Sequence, residues 1–235
     1  MEYGLESSCG QVRDSNEDNY LQLIRPSFAL FAVADGMGGH NAGEVASSIA
    51  VEVLREYDFE LDNIVPSVYE VIESINRRIL EEAKTNAEYQ GMGTTLTMTI
   101  LIDDKLYIGH VGDSRAYLLR DKEFKQLTED HSLVNQLVKR GEITRQEARN
   151  HPQNNILLQA LGTDTEVDID ILEIDIREND LFLLCTDGLN CMLEDRKIKS
   201  VLLESGELEE KAEKLVQLAN KYGGHDNITV VLFNS

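Results

Sequence analysis

Four short stretches rich in aspartate and glycine abut short apolar runs, and that pairing restricts the folds open to this chain. Residues 28–34 run into Asp35-Gly36-Met37-Gly38-Gly39, residues 106–111 into Gly112-Asp113-Ser114-Arg115, and residues 181–185 into Thr186-Asp187-Gly188. The fourth, Gly223-Gly224-His225-Asp226-Asn227, leads into the apolar residues 228–233. Short apolar runs bounded by turn residues read as buried strands. A strand end beside glycine holds a carboxylate rigidly and lets backbone oxygens come close, which is how a sheet offers ligands to hard metal ions. One Asp-Gly pair is ordinary turn chemistry. Four such motifs in 235 residues point to a sheet protein that assembles a metal site at one edge.

The period of the apolar residues supplies the remaining elements. Residues 3–12 and 19–24 read as strands separated by the polar Arg13-Asp14-Ser15-Asn16-Glu17-Asp18. A helix over 43–57 carries Val45, Ile49, Val53 and Leu54 on one face. A second helix, started near Pro66, repeats Ile64, Val68, Val71, Ile72, Ile75, Ile79 and Ala83 at three- and four-residue spacing. Residues 94–102 alternate Leu96, Met98 and Ile100 with threonine, and 106–111 and 116–120 continue as strands, with Asp103-Asp104 as a tight turn. Residues 167–176 alternate isoleucine with acids, which predicts a strand with an acidic outer face. That pattern outweighs a calcium loop over 164–170, where the mid-loop glycine is missing. A third amphipathic helix covers 208–222. Residues 130–160 are polar with short helical stretches and read as an inserted flap. With no internal repeat or low-complexity linker, residues 1–235 are expected to form one α+β domain.

Charge narrows the function. Against 22 basic residues stand 43 acidic ones, a formal net charge of −21, which repels nucleic acid and anionic membranes and weakly favours partners with basic patches. No apolar stretch approaches the roughly 20 residues of a membrane span. The first residues lack the basic-then-apolar order of a signal peptide, so a cytoplasmic location is expected. No membrane anchor or second domain beyond Ser235 is expected, and a monomer is the default expectation. Cys9, Cys185 and Cys191 are too few and too irregular for a disulfide framework or a zinc site, and Cys185 reads as a buried apolar residue.

Aspartates brought together at strand ends repel one another and resist joint ionisation until cations neutralise them. Oxygen ligands with no Cys or His cluster favour Mg²⁺ or Mn²⁺ over zinc. Two such ions about 3.5–4 Å apart can hold a hydroxide between them and clamp a phosphoryl group for in-line attack. An arginine is then wanted for the phosphate oxygens, and Arg13 is well placed for it. An ion pair with Glu17 or Asp18 is its structural alternative. Asp113 is open to a turn-capping role as well as a metal role, and Arg115 reads as a salt-bridge partner.

The ordered set Val12-Arg13-Asp14-Ser15-Asn16-Glu17-Asp18, Asp35-Gly36-Met37-Gly38-Gly39, Gly93-Thr94-Thr95, Gly112-Asp113-Ser114-Arg115, Ala160-Leu161-Gly162-Thr163, Thr186-Asp187-Gly188-Leu189 and Asp226-Asn227-Ile228-Thr229 resembles the metal-dependent protein phosphatases of type 2C, most of all their compact bacterial members. The resemblance implies a four-layer αββα sandwich, two central antiparallel sheets flanked by helix pairs, with metals in a cleft at one end and residues 130–160 as a flap beside it. It implies Asp35 as the bridge between two Mn²⁺ or Mg²⁺ ions, with the Gly36 carbonyl, Asp187 and Asp226 as further ligands. Glu17 and Asp18 would act directly or through water, and Asp113 with Asp187 would offer a third position. Arg13 would bind the substrate phosphate. Where many eukaryotic relatives carry a histidine that protonates the leaving alkoxide, this chain has Met37. His40 is a candidate acid, a helix-capping or surface role being its alternative, and solvent could also supply the proton.

The implied activity is hydrolysis of phosphoserine and phosphothreonine in proteins, the targets of a Ser/Thr kinase. A non-catalytic phosphoprotein-binding regulator of the same fold is the alternative, but such a chain should have lost some of the metal carboxylates. A two-metal nuclease shares the ion chemistry, yet the acidic balance and the missing basic stripe oppose it.

Overall fold

A strand segment that is apolar at every position must be covered on both faces, and the first six residues of β3 (Ala29–Met37) are such a segment. Leu30, Ala32 and Ala34 pack toward helices α1 (Ala42–Glu56) and α2 (Ile64–Thr85), while Ala29, Phe31 and Val33 face the other way, into a core between two sheets. The computed structural model describes residues 1–39 and 42–234. In it the strands β1 (Tyr3–Ser8), β11 (Ile228–Asn234), β10 (Leu181–Cys185), β7 (Arg115–Arg120) and β8 (Glu123–Gln126) form one antiparallel sheet in that order. The other runs β2 (Asp18–Ile24), β3, β5 (Leu96–Ile102), β6 (Lys105–Val111) and β9 (Asp170–Asp175), with the short β4 (Gly93–Thr94) paired to β3.

Period-two alternation sorts the first sheet in the same way. Val231, Phe233, Phe182 and Leu184 enter the inter-sheet core; Ile228, Val230, Leu232 and Leu183 face α5 (Asp187–Met192), α6 (Asp195–Leu202) and α7 (Leu208–Lys221). The layers are therefore helix, sheet, sheet, helix, as expected for the sandwich. Phe31, Phe233 and Phe182 hold the sheets together as a stack, with ring centroids 4.3 Å and 5.2 Å apart. Among the described residues no helix is long and apolar enough to cross a membrane.

Several boundaries differ from the sequence reading, each for a reason of pairing. β1 stops at Ser8, its last partner being Ile228, and Gly10 turns the chain at φ 82° rather than continuing to residue 12. β9 begins only at Asp170, because His110 is the last β6 residue in register with it and β6 ends one residue later. β3 does not end at Ala34: it carries through Asp35-Gly36-Met37 by exchanging β5 for β4, with Gly36 opposite Thr94. The short β8, α5 and α6 carry too few apolar repeats to be legible in advance.

Residues 130–160 hold two short helices, α3 (Leu133–Lys139) and α4 (Arg145–Arg149), neither with a buried residue. Ser132 caps α3, and Thr144 with Glu147 forms a capping box on α4. The excursion is closed at its base: Ser132 bridges Leu157, and the Leu158 N–H donates to the His131 carbonyl at 2.8 Å. Arg149 donates from Nη2 to the Asn190 carbonyl at 3.0 Å, tying the excursion to α5.

Candidate metal centre

Both sheets deliver acids to one end of the sandwich. Asp35 comes from β3, Asp187 opens α5 at the end of β10, Asp226 precedes β11, and Asp113 follows β6. Together with Glu17 and Arg13 they line a cleft of ≈ 380 Å³, whose other walls include Gly36, Met37, Thr95, Asn155, Leu157 and Asn227. Asn155 and Leu157 belong to the excursion over 130–160. Asp18 stands behind this wall, 6 % exposed and opposite Asp35 in the β2–β3 register. His40, the candidate acid, lies outside the described residues. Among the described residues no three Asp, Glu, His or Cys side chains close around one point, so the acids line the cleft as an open set.

Close backbone packing makes this convergence possible. A Cβ on Gly36 would stand 2.2 Å from the Gly43 carbonyl oxygen, and one on Gly188 would stand 2.0 Å from that of Asn227. The first glycine lets α1 approach β3; the second lets α5, carrying Asp187, approach the Asp226 turn. Asn227 stitches that turn to the Arg13 loop: Nδ2 donates to the Cys9 and Ser15 carbonyls at 3.0 Å and 2.9 Å, and Oδ1 accepts the Glu17 N–H at 2.8 Å. Thr95 serves the other wall, its hydroxyl accepting the Asp35 N–H at 3.0 Å and meeting the Ser114 hydroxyl at 2.7 Å. Neither residue had a role on sequence grounds. Their signal was membership of the motifs Gly93-Thr94-Thr95 and Asp226-Asn227-Ile228-Thr229, which names no role.

Arg13 reaches across the cleft mouth to Asp226, with Nη2 to Oδ2 at 2.8 Å, rather than to Glu17 or Asp18. Arg115 forms the expected salt bridge, two-pronged to Asp130 at 2.8 Å and 2.5 Å, and also donates to the Tyr117 hydroxyl at 3.0 Å. His110 is fully buried, and burial pushes its imidazole down to about 3, so it is neutral. Its Nε2 meets the Glu129 carbonyl, which can only accept, so Nε2 carries the proton and Nδ1 is an acceptor facing the Thr97 hydroxyl, whose one proton it shares with the Ser114 carbonyl at 3.0 Å.

The electrostatics are those of anions that outnumber the counter-charges facing them, Arg13 and Arg115. Burial, then the carboxylates of Asp18, Asp187, Asp113 and Asp226, push Asp35 well above its ordinary value. Burial, then Asp187 and Asp130, do the same to Asp113. Asp187 rises to about 6, through burial and then Asp226. Asp18 rises to about 7 through burial, in spite of hydrogen bonds from Thr229 and Thr186. Its Oδ1 is buried and has no hydrogen-bond partner among the described residues. A bare carboxylate oxygen buried among other carboxylates carries its full desolvation cost. A divalent cation or its hydration water would relieve it, and oxygen-only donors suit Mg²⁺ or Mn²⁺. The residues present fit such an ion.

A two-sheet sandwich with carboxylates from both sheets at one end defines a class, and comparison with known proteins agrees. The sequence matches the protein phosphatase 2C family over residues 7–232, and the chain belongs to that family. It is 40 % identical over 230 residues to the serine/threonine phosphatase stp of Listeria welshimeri, covering 95 % of this chain and 91 % of that protein. The S. agalactiae serine/threonine phosphatase structure superposes with a TM-score of 0.93 at 38 % identity, over 100 % of this chain and 99 % of that one. The catalytic domain of the serine threonine protein phosphatase PstP, solved in complex with 2 manganese ions, gives 0.89 at 37 % identity, covering 98 % and 96 %.

Proposed function

We propose that the chain is a metal-dependent protein serine/threonine phosphatase, with residues 1–235 acting as one catalytic domain and residues 130–160 as its flap. One observation carries this reading: Asp35 from one sheet, Asp187 and Asp226 from the other, and Arg13 line a single cleft. Asp35, the Gly36 carbonyl, Asp187 and Asp226 would hold two Mn²⁺ or Mg²⁺ ions, Glu17 and Asp18 would support them, and Asp113 with Asp187 would offer a third position. When bound, such ions supply the positive charge that acidifies a water and neutralises phosphoryl oxygens.

The chain's own residues do the rest. Arg13 presents a planar, permanently charged fork at the cleft mouth, suited to two phosphoryl oxygens. Its partner Asp226 would also hold a cation, and a phosphoryl group would then give the exposed guanidinium a replacement anion. Met37 contributes a thioether, which has no proton to give to the leaving alkoxide. Phosphorylated proteins are the substrates on this reading, with a Ser/Thr kinase supplying them, in the cytoplasm and by a monomeric enzyme. The acidic surface opposes nucleic acid and anionic membranes as partners.

Incubation with a phosphothreonine peptide should release phosphate with Mn²⁺ and not with EDTA; equal release in both overturns the reading. Arg13→Ala is expected to raise KM for the peptide about tenfold or more, the loss of a charge-assisted hydrogen bond, while the Mn²⁺ dissociation constant changes little. An unchanged KM would assign Arg13 to the ion pair with Asp226 alone.

A further inference from the structure

Asp18 is held by one oxygen only. Its Oδ2 accepts from the Thr186 hydroxyl at 2.7 Å and from the Thr229 hydroxyl at 2.7 Å, and all three residues are buried. Proton bookkeeping fixes the direction of every bond behind these two. Thr229 gives its proton to the carboxylate, so the Ser7 hydroxyl, 2.9 Å away, must donate to Thr229. Ser7 in turn accepts from Asn16 Nδ2 at 2.9 Å. Thr186 likewise donates to Asp18 and accepts the Thr229 N–H at 2.9 Å. Two donor relays thus converge on Oδ2, and Oδ1 is left with no partner among the described residues.

Thr186 forgoes an ordinary task to do this. It occupies the N-cap of α5, where a threonine hydroxyl accepts from the helix's own first N–H groups, yet it makes no side-chain cap bond. Its hydroxyl turns instead to a carboxylate on the opposite sheet. Asp18 begins β2, while Thr186 and Thr229 belong to the β10 end and to β11, so the contact spans the two sheets beneath the cleft.

We propose that Thr186 and Thr229 are positioning residues for the metal centre: they clamp Asp18 by Oδ2 and so reserve Oδ1 for a divalent cation or a water of its hydration shell. The inference rests on the metal-dependent reading above. Outer partners of this kind set ligand orientation, and their loss typically costs about 10–100-fold in metal affinity.

Calorimetric titration of the metal-stripped full chain with Mn²⁺ tests it. Thr186→Val and Thr229→Val keep the side-chain shape and remove the donor; each is expected to weaken Mn²⁺ binding about 10–100-fold, with the near-UV circular dichroism of the wild type. Thr186→Ser and Thr229→Ser restore the hydroxyl and should restore the affinity. In an Asp18→Asn background, Thr229→Val should cost nothing further, since residues acting through one group are not additive. Wild-type affinity in the valine variants, equal losses with serine and valine, or additive losses with Asp18→Asn would each overturn the clamp. A wild-type chain that binds no Mn²⁺ would instead overturn the metal reading beneath it.

Discussion

Asp35→Asn is expected to lower kcat for a phosphothreonine peptide by about a thousandfold, the several kcal/mol that a cation-centred site contributes to a transition state, and to abolish tight Mn²⁺ binding. The amide matches the carboxylate in size, so the packing of β3 is untouched. What changes is charge. Asp35 is surrounded by Asp18, Asp187, Asp113 and Asp226, all of which oppose its ionisation. Removing one of these anions relieves the others in the metal-free protein. The variant should therefore melt at the same temperature as the metal-free wild type or higher, while losing the rise in melting temperature that Mn²⁺ gives the wild type. Calorimetry with and without the ion reads both halves. A variant that melts lower without metal, or keeps its activity, would remove Asp35 from the bridge.

The largest effect on stability is expected at Phe233→Ala. Phe233 is fully buried and stacks on Phe31 of the opposite sheet and on Phe182 beside it. Truncation removes the ring from water-excluded space and leaves a cavity between two sheets that cannot collapse independently, at a cost of about 3–5 kcal/mol. For a chain of this length that is roughly 10 °C of melting temperature. Denaturant unfolding should show a lower midpoint with an unchanged slope. A loss below about 1 kcal/mol, the scale of an ordinary surface substitution, would show that the stack is incidental to the inter-sheet core.

Elements with long periodic patterns were legible in the sequence because their partners enforce the pattern. The stripe from Ile64 to Ile79 is buried along its length in α2, and the β10 run matches its strand residue for residue. Failures came where tertiary pairing decides: the extension of β3 through Asp35 depends on β4, and the late start of β9 depends on where β6 ends. In the site, the carboxylates were legible because their chemistry is carried by residue type and motif. Thr186, Thr229, Thr95 and Asn227 stood in the same motifs, but their roles were not legible, since a threonine or asparagine becomes informative only when the atom it faces is known. Arg13 illustrates the same limit. Its presence at the cleft was inferable, but its ion partner, Asp226, lies 213 residues away in the chain.

The bridge between Ser132 and Leu157 has a consequence for how this enzyme can change over evolutionary time. Because the excursion is already closed at its neck, everything distal to that neck can lengthen, shorten or be exchanged without repaying the closure of the loop. Each doubling of such an insert costs only about 0.6 kcal/mol of chain entropy. The residues beyond the neck contribute nothing to the buried cores, whereas Asn155 and Leu157, beside it, face the cleft. The excursion can therefore change in length between its ties to Asn190 and to the cleft while the carboxylate floor beneath it stays fixed, much as a tool head is changed on an unaltered handle.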